Sequence, residues 1–256
     1  MSIDYVSVDD AVRRPGLRMV VVGGVPSGWS EAAKGMLHIK RIEWVAVRLA
    51  YDSDLLKQWA GQRSGPVAIH GDEPPLAGWR EILLLAERLA PEPALLPQEP
   101  LSRDLVLELS NEICGKGGLG WQRRLQLIHA GLRGEGGFPE RVAAYLGKKY
   151  GYSEEAGAAA GARVAELLVR LAGRLKQQQE AGGPWYLGQT LTAADVYSAA
   201  FMAMFRPLPH DLCPMDATTR VAFETLDART SAALDPVLIA HRDRMYAEHL
   251  ELPLSL

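Results

Sequence analysis

The spacing of hydrophobic positions changes character near residue 90. Before it, short apolar runs alternate with helical stretches. Residues 17–22 form a β-branched run, 30–41 suit a helix, and 43–49 return to strand through Trp44, Val45 and Val47. Residues 52–60 read as a short helix, 65–69 as a strand entered through Pro66, and 71–75 as turn chemistry. Ile82, Leu83, Ala86 and Leu89 then mark one face of a helix over 79–89. With a short further strand flanked by Glu73 and Pro74, the order is βαβαββα.

The pattern breaks where Pro91, Pro93, Pro97 and Pro100 fall within ten residues, because proline disrupts a helix interior. Beyond this point no strand signal survives. Ser102 is placed to cap a helix carrying Leu105, Leu109 and Ile113, and Val164, Leu167, Leu168, Leu171 and Leu175 mark a long helix ending at Gly182. Residues 192–205 and 236–249 are further helices. The organisation expected is an N-terminal extension (1–16), an α/β domain (17–91), a linker (92–101) and an all-helical domain (102–256).

One helix start is written locally. Thr192 is a cap residue, Asp195 sits three positions on to return a bond to the cap amide, and Leu191 with Val196 can close a hydrophobic staple. Between Ala193 and Phe205 only Asp195 and Ser198 are polar, so this helix belongs inside the helical domain. The run Gly188-Gln189-Thr190-Leu191-Thr192-Ala193-Ala194-Asp195 resembles the capping and staple element that starts the core helix of glutathione transferases. The order of an α/β domain followed by a helical one is also theirs. The resemblance covers about residues 17–252 and implies a thioredoxin-like domain joined to an all-helical C-terminal domain.

Charge and composition narrow the partners. A formal net charge of −3 gives no support to nucleic acid or an anionic membrane as a general partner. The apolar run at 19–25 is too short to span a bilayer and lacks a cleavage site, so it reads as a buried strand. Cys114 and Cys213 lie far apart without ligand or redox spacing, which fits free thiols and a cytoplasmic location. The six histidines show no metal-ligand spacing, and no metal site is expected. Arg123-Arg124, Lys148-Lys149, and Arg242 with Arg244 read as solvated charge on helix faces.

What the resemblance implies about chemistry centres on the loop after the first strand, Gly23-Gly24-Val25-Pro26-Ser27-Gly28-Trp29-Ser30. In the family a hydroxyl or thiol here hydrogen-bonds the sulfur of glutathione and stabilises its thiolate, the nucleophilic form. Ser27 is the candidate, with Ser30 second and Trp29 as the neighbouring aromatic; Gly28 stands where proline is usual. Ser27 can equally serve as a helix cap. The loop contains no cysteine, which argues against the redox-active branches, and Tyr5 lies too far upstream to act as a tyrosine activator. By the same resemblance Gly65-Pro66-Val67 would pair with the glutathione backbone beside a cis proline; a trans proline opening an edge strand is the alternative.

At the start of the 79–89 helix, Gly78-Trp79 replaces the acidic-Ser pair that holds the γ-glutamyl group in the family. A backbone amide and Arg80 remain to bind it, and the bulk of Trp79 can reshape or fill the pocket. A second substrate would lie between the domains, lined by Asn111, Cys114 and Trp121 within the glycine-rich 111–121 stretch. That stretch lacks the Gly-Lys-[Ser/Thr] of a phosphate loop. Two functions follow: an enzyme moving the glutathione thiol, as co-substrate, onto a small electrophile with Ser27 stabilising the thiolate, or a catalytically silent protein of this fold serving as a binding or assembly module. The resemblance also implies a homodimer.

Overall fold

The structure is a computed structural model describing residue 3 and residues 5–256. Four strands form one sheet in the order β1-β3-β2-β4, with β1 (Tyr5–Val6), β2 (Leu17–Val21), β3 (Trp44–Arg48) and β4 (Val67–His70). β1 and β2 both run parallel to β3, and β4 runs antiparallel to β2. Strand β2 is central and buried along its whole length, which explains its uninterrupted apolar run. Arg18 within it is buried too, its guanidinium donating to the carbonyls of Arg14 and Gly71.

Helices α1 (Val8–Arg13), α2 (Gly28–Ile39), α3 (Asp54–Ala60) and α4 (Trp79–Leu89) complete the α/β part. The stretch expected to be an N-terminal extension supplies an edge strand and a helix to this unit, with Tyr5 opposite Ala46 and Ala11 fully buried. The expected last strand shrinks to a single antiparallel bridge between Ala68 and Leu76. Pro74 and Pro75 lack amide donors, so the ladder cannot extend backwards from Leu76.

Helices α5 (Pro100–Cys114), α6 (Leu119–Leu132), α7 (Glu140–Tyr150), α8 (Glu154–Glu180), α9 (Ala193–Phe201), α10 (Ala217–Glu224), α11 (Ala228–Ala233) and α12 (Pro236–Glu248) build the rest. A 3-10 turn, Met202–Met204, continues α9. Ser102 does not cap α5. Glu99 does, accepting from the amides of Leu101 and Ser102, and Pro100 occupies the first turn, where its missing donor costs nothing.

Helix α9 is buried along its full length. Asp195 accepts from the amide (2.8 Å) and hydroxyl (2.9 Å) of Thr192, completing a capping box, and its other oxygen meets the Tyr186 amide and His241 Nε2, each at 3.0 Å. The linker is docked on this helix: the carbonyl of Leu95 accepts from Ala193 N at 2.9 Å, and Leu95 and Leu96 are buried.

Phe201, at the end of α9, joins the two halves. Its ring lies where a Cβ on Gly28 would stand, 2.8 Å away, and where a Cβ on Gly120 would overlap it. Any side chain at either position would collide with it. Gly28, in place of the proline usual in the resembling family, is therefore explained by close approach of α2 to the helical core. The C-terminal residues return to the α/β part, with Ser255 O accepting from Lys34 Nζ and Tyr5 Oη, each at 2.8 Å. No described helix is long and apolar enough to cross a membrane.

Candidate functional site

A cavity of about 1080 Å³ opens between the sheet and the helical bundle. The α/β wall carries Ser27 and Trp29 from the start of α2, Ser64-Gly65-Pro66 before β4, and Ala77-Gly78 before α4. Strand β2 ends beneath this wall, so its turn into α2 delivers Ser27 to the cavity. Ser27 is 4% exposed and stands at the cap position of α2, yet its side chain makes no capping bond. The opposite holds for Ser30. Its hydroxyl accepts from Val22 N at 3.1 Å, it is fully buried, and it does not line the cavity.

Trp29 is fixed by three contacts. Its indole Nε1 donates to Cys114 O at 2.9 Å, and its ring meets Phe201 edge-on at 4.8 Å and Tyr150 at 6.3 Å. The Gly65-Pro66 peptide is cis and both residues face the cavity. Val67, next in line, is buried in the sheet core and is not part of the lining.

The start of α4 departs from what Gly78-Trp79 suggested. Gly78 lines the cavity, but Trp79 does not. Its ring packs edge-on against Tyr197 at 5.7 Å, and Tyr197 Oη donates to the Trp79 carbonyl at 2.9 Å. The indole turns away from the cavity onto the apolar surface of helix α9. Arg80 is exposed and outside the lining. Glu81, unnoticed in the sequence, folds its carboxylate back over Gly78, into the space a Cβ there would occupy.

Of the proposed second-substrate residues, only Trp121 lines the cavity. Asn111 precedes the end of α5 and lies elsewhere. Cys114 is buried, its thiol donates to Ser110 O, and burial pushes that thiol well above its ordinary range. It is an inert core thiol. The glycines at 115–118 form the turn from α5 into α6, which sets Trp121 on the cavity side.

The helical wall holds residues that composition had assigned to solvent. Arg123 and Arg124 are both buried. Arg123 points inward and donates to the carbonyls of Met204, Phe223 and Thr225, each at 3.0 Å, and to Gln126. Arg124 points to the cavity, three residues on from Trp121 and on the same helical face. Arg242 is also buried, bonded to Arg206 O and Asp243. Helix α7 shows Val142, Tyr145, Leu146, Lys149 and Tyr150 to the cavity at helical spacing, with Leu146 and Tyr150 also packed against the core. That spacing was the signal available in the sequence. Tyr145 meets Tyr51 edge-on at 5.8 Å, so one aromatic pair from the two halves spans the rim. Among the described residues no group of three metal-binding side chains occurs.

No protein-family model matches the chain, and no curated protein sequence matches it. Solved structures do. A glutathione transferase family member from Pseudomonas fluorescens Pf-5 with two glutathione bound is similar at a TM-score of 0.63 and 14% identity, covering 94% of each chain. A glutathione S-transferase from Methylobacillus flagellatus KT with glutathione bound is similar at 0.62 and 15%, covering 90% of this chain and 94% of its own. One from Xanthobacter autotrophicus Py2 is similar at 0.58 and 19%, covering 93% and 97%. At such identities the likeness is one of architecture, and the chain has the glutathione transferase fold, a thioredoxin-like domain followed by an all-helical one.

Proposed function

We propose that the protein moves the thiol of glutathione onto a small electrophile, with Ser27 stabilising the thiolate. The observation that carries this reading is the Ser27 side chain, set at the N-terminus of α2 in the cavity wall and spared from capping. A hydroxyl donor beside a helix N-terminus favours a negative sulfur, and the thiolate is the attacking form. Gly65 beside the cis bond offers backbone groups to the cysteinyl part of glutathione. The amide end of α4 at Gly78 suits the γ-glutamyl carboxylate, and the Glu81 carboxylate suits its ammonium.

The second reading, a catalytically silent module, drew on Gly78-Trp79 standing in place of the acidic-Ser pair. Trp79 turns toward Tyr197 and does not fill the cavity, while Gly78 still supplies no side chain, so the silent module stays the alternative. Pairing of two copies and a cytoplasmic location accompany the proposal, and light scattering on the purified protein checks the first.

Calorimetric titration with glutathione should show binding at or below millimolar concentration. Ser27→Ala should lower turnover with a panel of electrophiles about a hundredfold, the scale of losing one preorganised donor, while leaving the melting temperature unchanged. Absence of binding together with equal turnover in the variant would overturn the reading.

A further inference from the structure

We propose that the helical wall selects an electrophile whose flat apolar body bears a carboxylate, and that Arg124 holds that carboxylate. The proposal rests on the placement of the glutathione thiol at Ser27 and names the class of molecule it attacks.

Arg124 is 7% exposed, and its Nε is buried with no hydrogen-bond partner. Among the described residues no carboxylate pairs with it. Its guanidinium lies 5.4 Å from the Phe138 ring centroid and 5.3 Å from that of Phe223, so the plane is held by rings. A buried charge without a counter-ion is unfavourable unless something in its site compensates it. Arg123, its neighbour, shows the alternative: a buried guanidinium of purely structural use is saturated by backbone carbonyls.

The surroundings reinforce the sign. Arg141 and Lys149 line the same cavity from α7, and Asp216 is the one acidic residue of the described lining. One Asp216 oxygen already accepts from the Thr219 amide at 2.8 Å, capping α10. Partial burial, with a smaller contribution from the nearby charge of Arg124, holds the Lys149 ammonium below its ordinary range. Trp29, Trp121 and Tyr150 supply a run of ring contacts, 6.3 and 4.8 Å between centroids, that suits a flat apolar body. A planar guanidinium fork matches a carboxylate with two parallel bonds, which an uncharged amide cannot reproduce.

With 4-chloro-3-nitrobenzoate as the probe, the thiolate sulfur attacks the ring carbon bearing chlorine. A C–S bond forms, the C–Cl bond breaks, chloride leaves with the bonding pair, and the thiol proton passes to solvent. The carboxylate takes no part.

Calorimetry on the full chain compares this probe with 4-chloro-3-nitrobenzamide in the absence of glutathione. The benzoate should bind about tenfold more tightly, the scale of one charge-assisted contact. Arg124→Met should remove the difference, and Arg141→Gln, at the exposed edge, should reduce it about twofold. Adding S-methylglutathione should leave benzoate affinity intact. Equal affinity of the two probes for the wild-type chain, a difference that survives in folded Arg124→Met, or displacement of the benzoate by S-methylglutathione would each overturn the proposal. A chain that binds the benzoate selectively but never binds glutathione keeps the anion site and loses only the conjugation reading.

Discussion

Two charged groups lie deep in this protein and are treated in opposite ways. Asp195, 0% exposed, faces four donors: the amide and hydroxyl of Thr192, the Tyr186 amide and His241 Nε2. Arg124, 7% exposed, has aromatic faces and an orphaned Nε. Folding satisfies one charge completely and leaves the other to the cavity. A saturated buried polar group specifies the structure around it, whereas an unsaturated one facing a cavity is available to a ligand.

Breaking the first node should have the largest effect. Asp195→Ala leaves His241 and the Tyr186 amide buried without an acceptor, and should cost about 3–5 kcal/mol in urea unfolding, more than loss of a helix cap alone. A loss confined to about 1 kcal/mol would show that the Thr192 cap is all that Asp195 contributes.

Gly120→Ala comes next. The added methyl overlaps the Phe201 ring, so displacement of that ring should cost about 1–3 kcal/mol and lower the affinity for ligands held near Trp29 and Trp121. An unchanged melting temperature would mean that Phe201 has room to move.

Arg124→Met should have the smallest effect on stability, within about 1 kcal/mol of wild type in the same unfolding experiment. It trades two ring contacts for relief of an uncompensated charge. Together with the collapse of carboxylate preference, this separates a residue that serves a ligand from one that serves the fold. A loss as large as that of Asp195→Ala would erase the contrast between the two regions.

The fold was legible where the sequence carries local chemistry. The box at Thr192 and Asp195, the β-branched run of β2 and the proline cluster each announce an element through their own residues. β1 and α1 escaped because a two-residue strand has no period to detect. Helices α6 and α7 escaped because their apolar positions are interleaved with cations that resembled a solvated face. The α/β wall of the site was partly readable, since Ser27, Trp29, Gly65 and Pro66 lie beside recognisable strand ends. The helical wall was not. Whether Arg123 or Arg124 turns inward depends on the register of α6 against α8 and α10, and one hundred degrees of helix rotation separates a carbonyl-saturated arginine from one facing the cavity. Trp79 and Cys114 misled for a related reason, because side chains near the cavity in sequence found apolar partners in the core.

Phe201 has a mechanical consequence. One ring sits in notches cut by Gly28 on α2 and Gly120 on α6, the helices that carry Ser27 and Arg124. It acts as a rivet, so the wall that carries Ser27 and the wall that carries Arg124 keep a constant spacing. Prising the halves apart would have to pull the ring from both notches, at the cost of a tightly packed interior. The half-exposed Tyr51–Tyr145 pair at the rim joins the same two halves with no such notch around either ring, so the cleft is riveted at its floor and only touched at its edge.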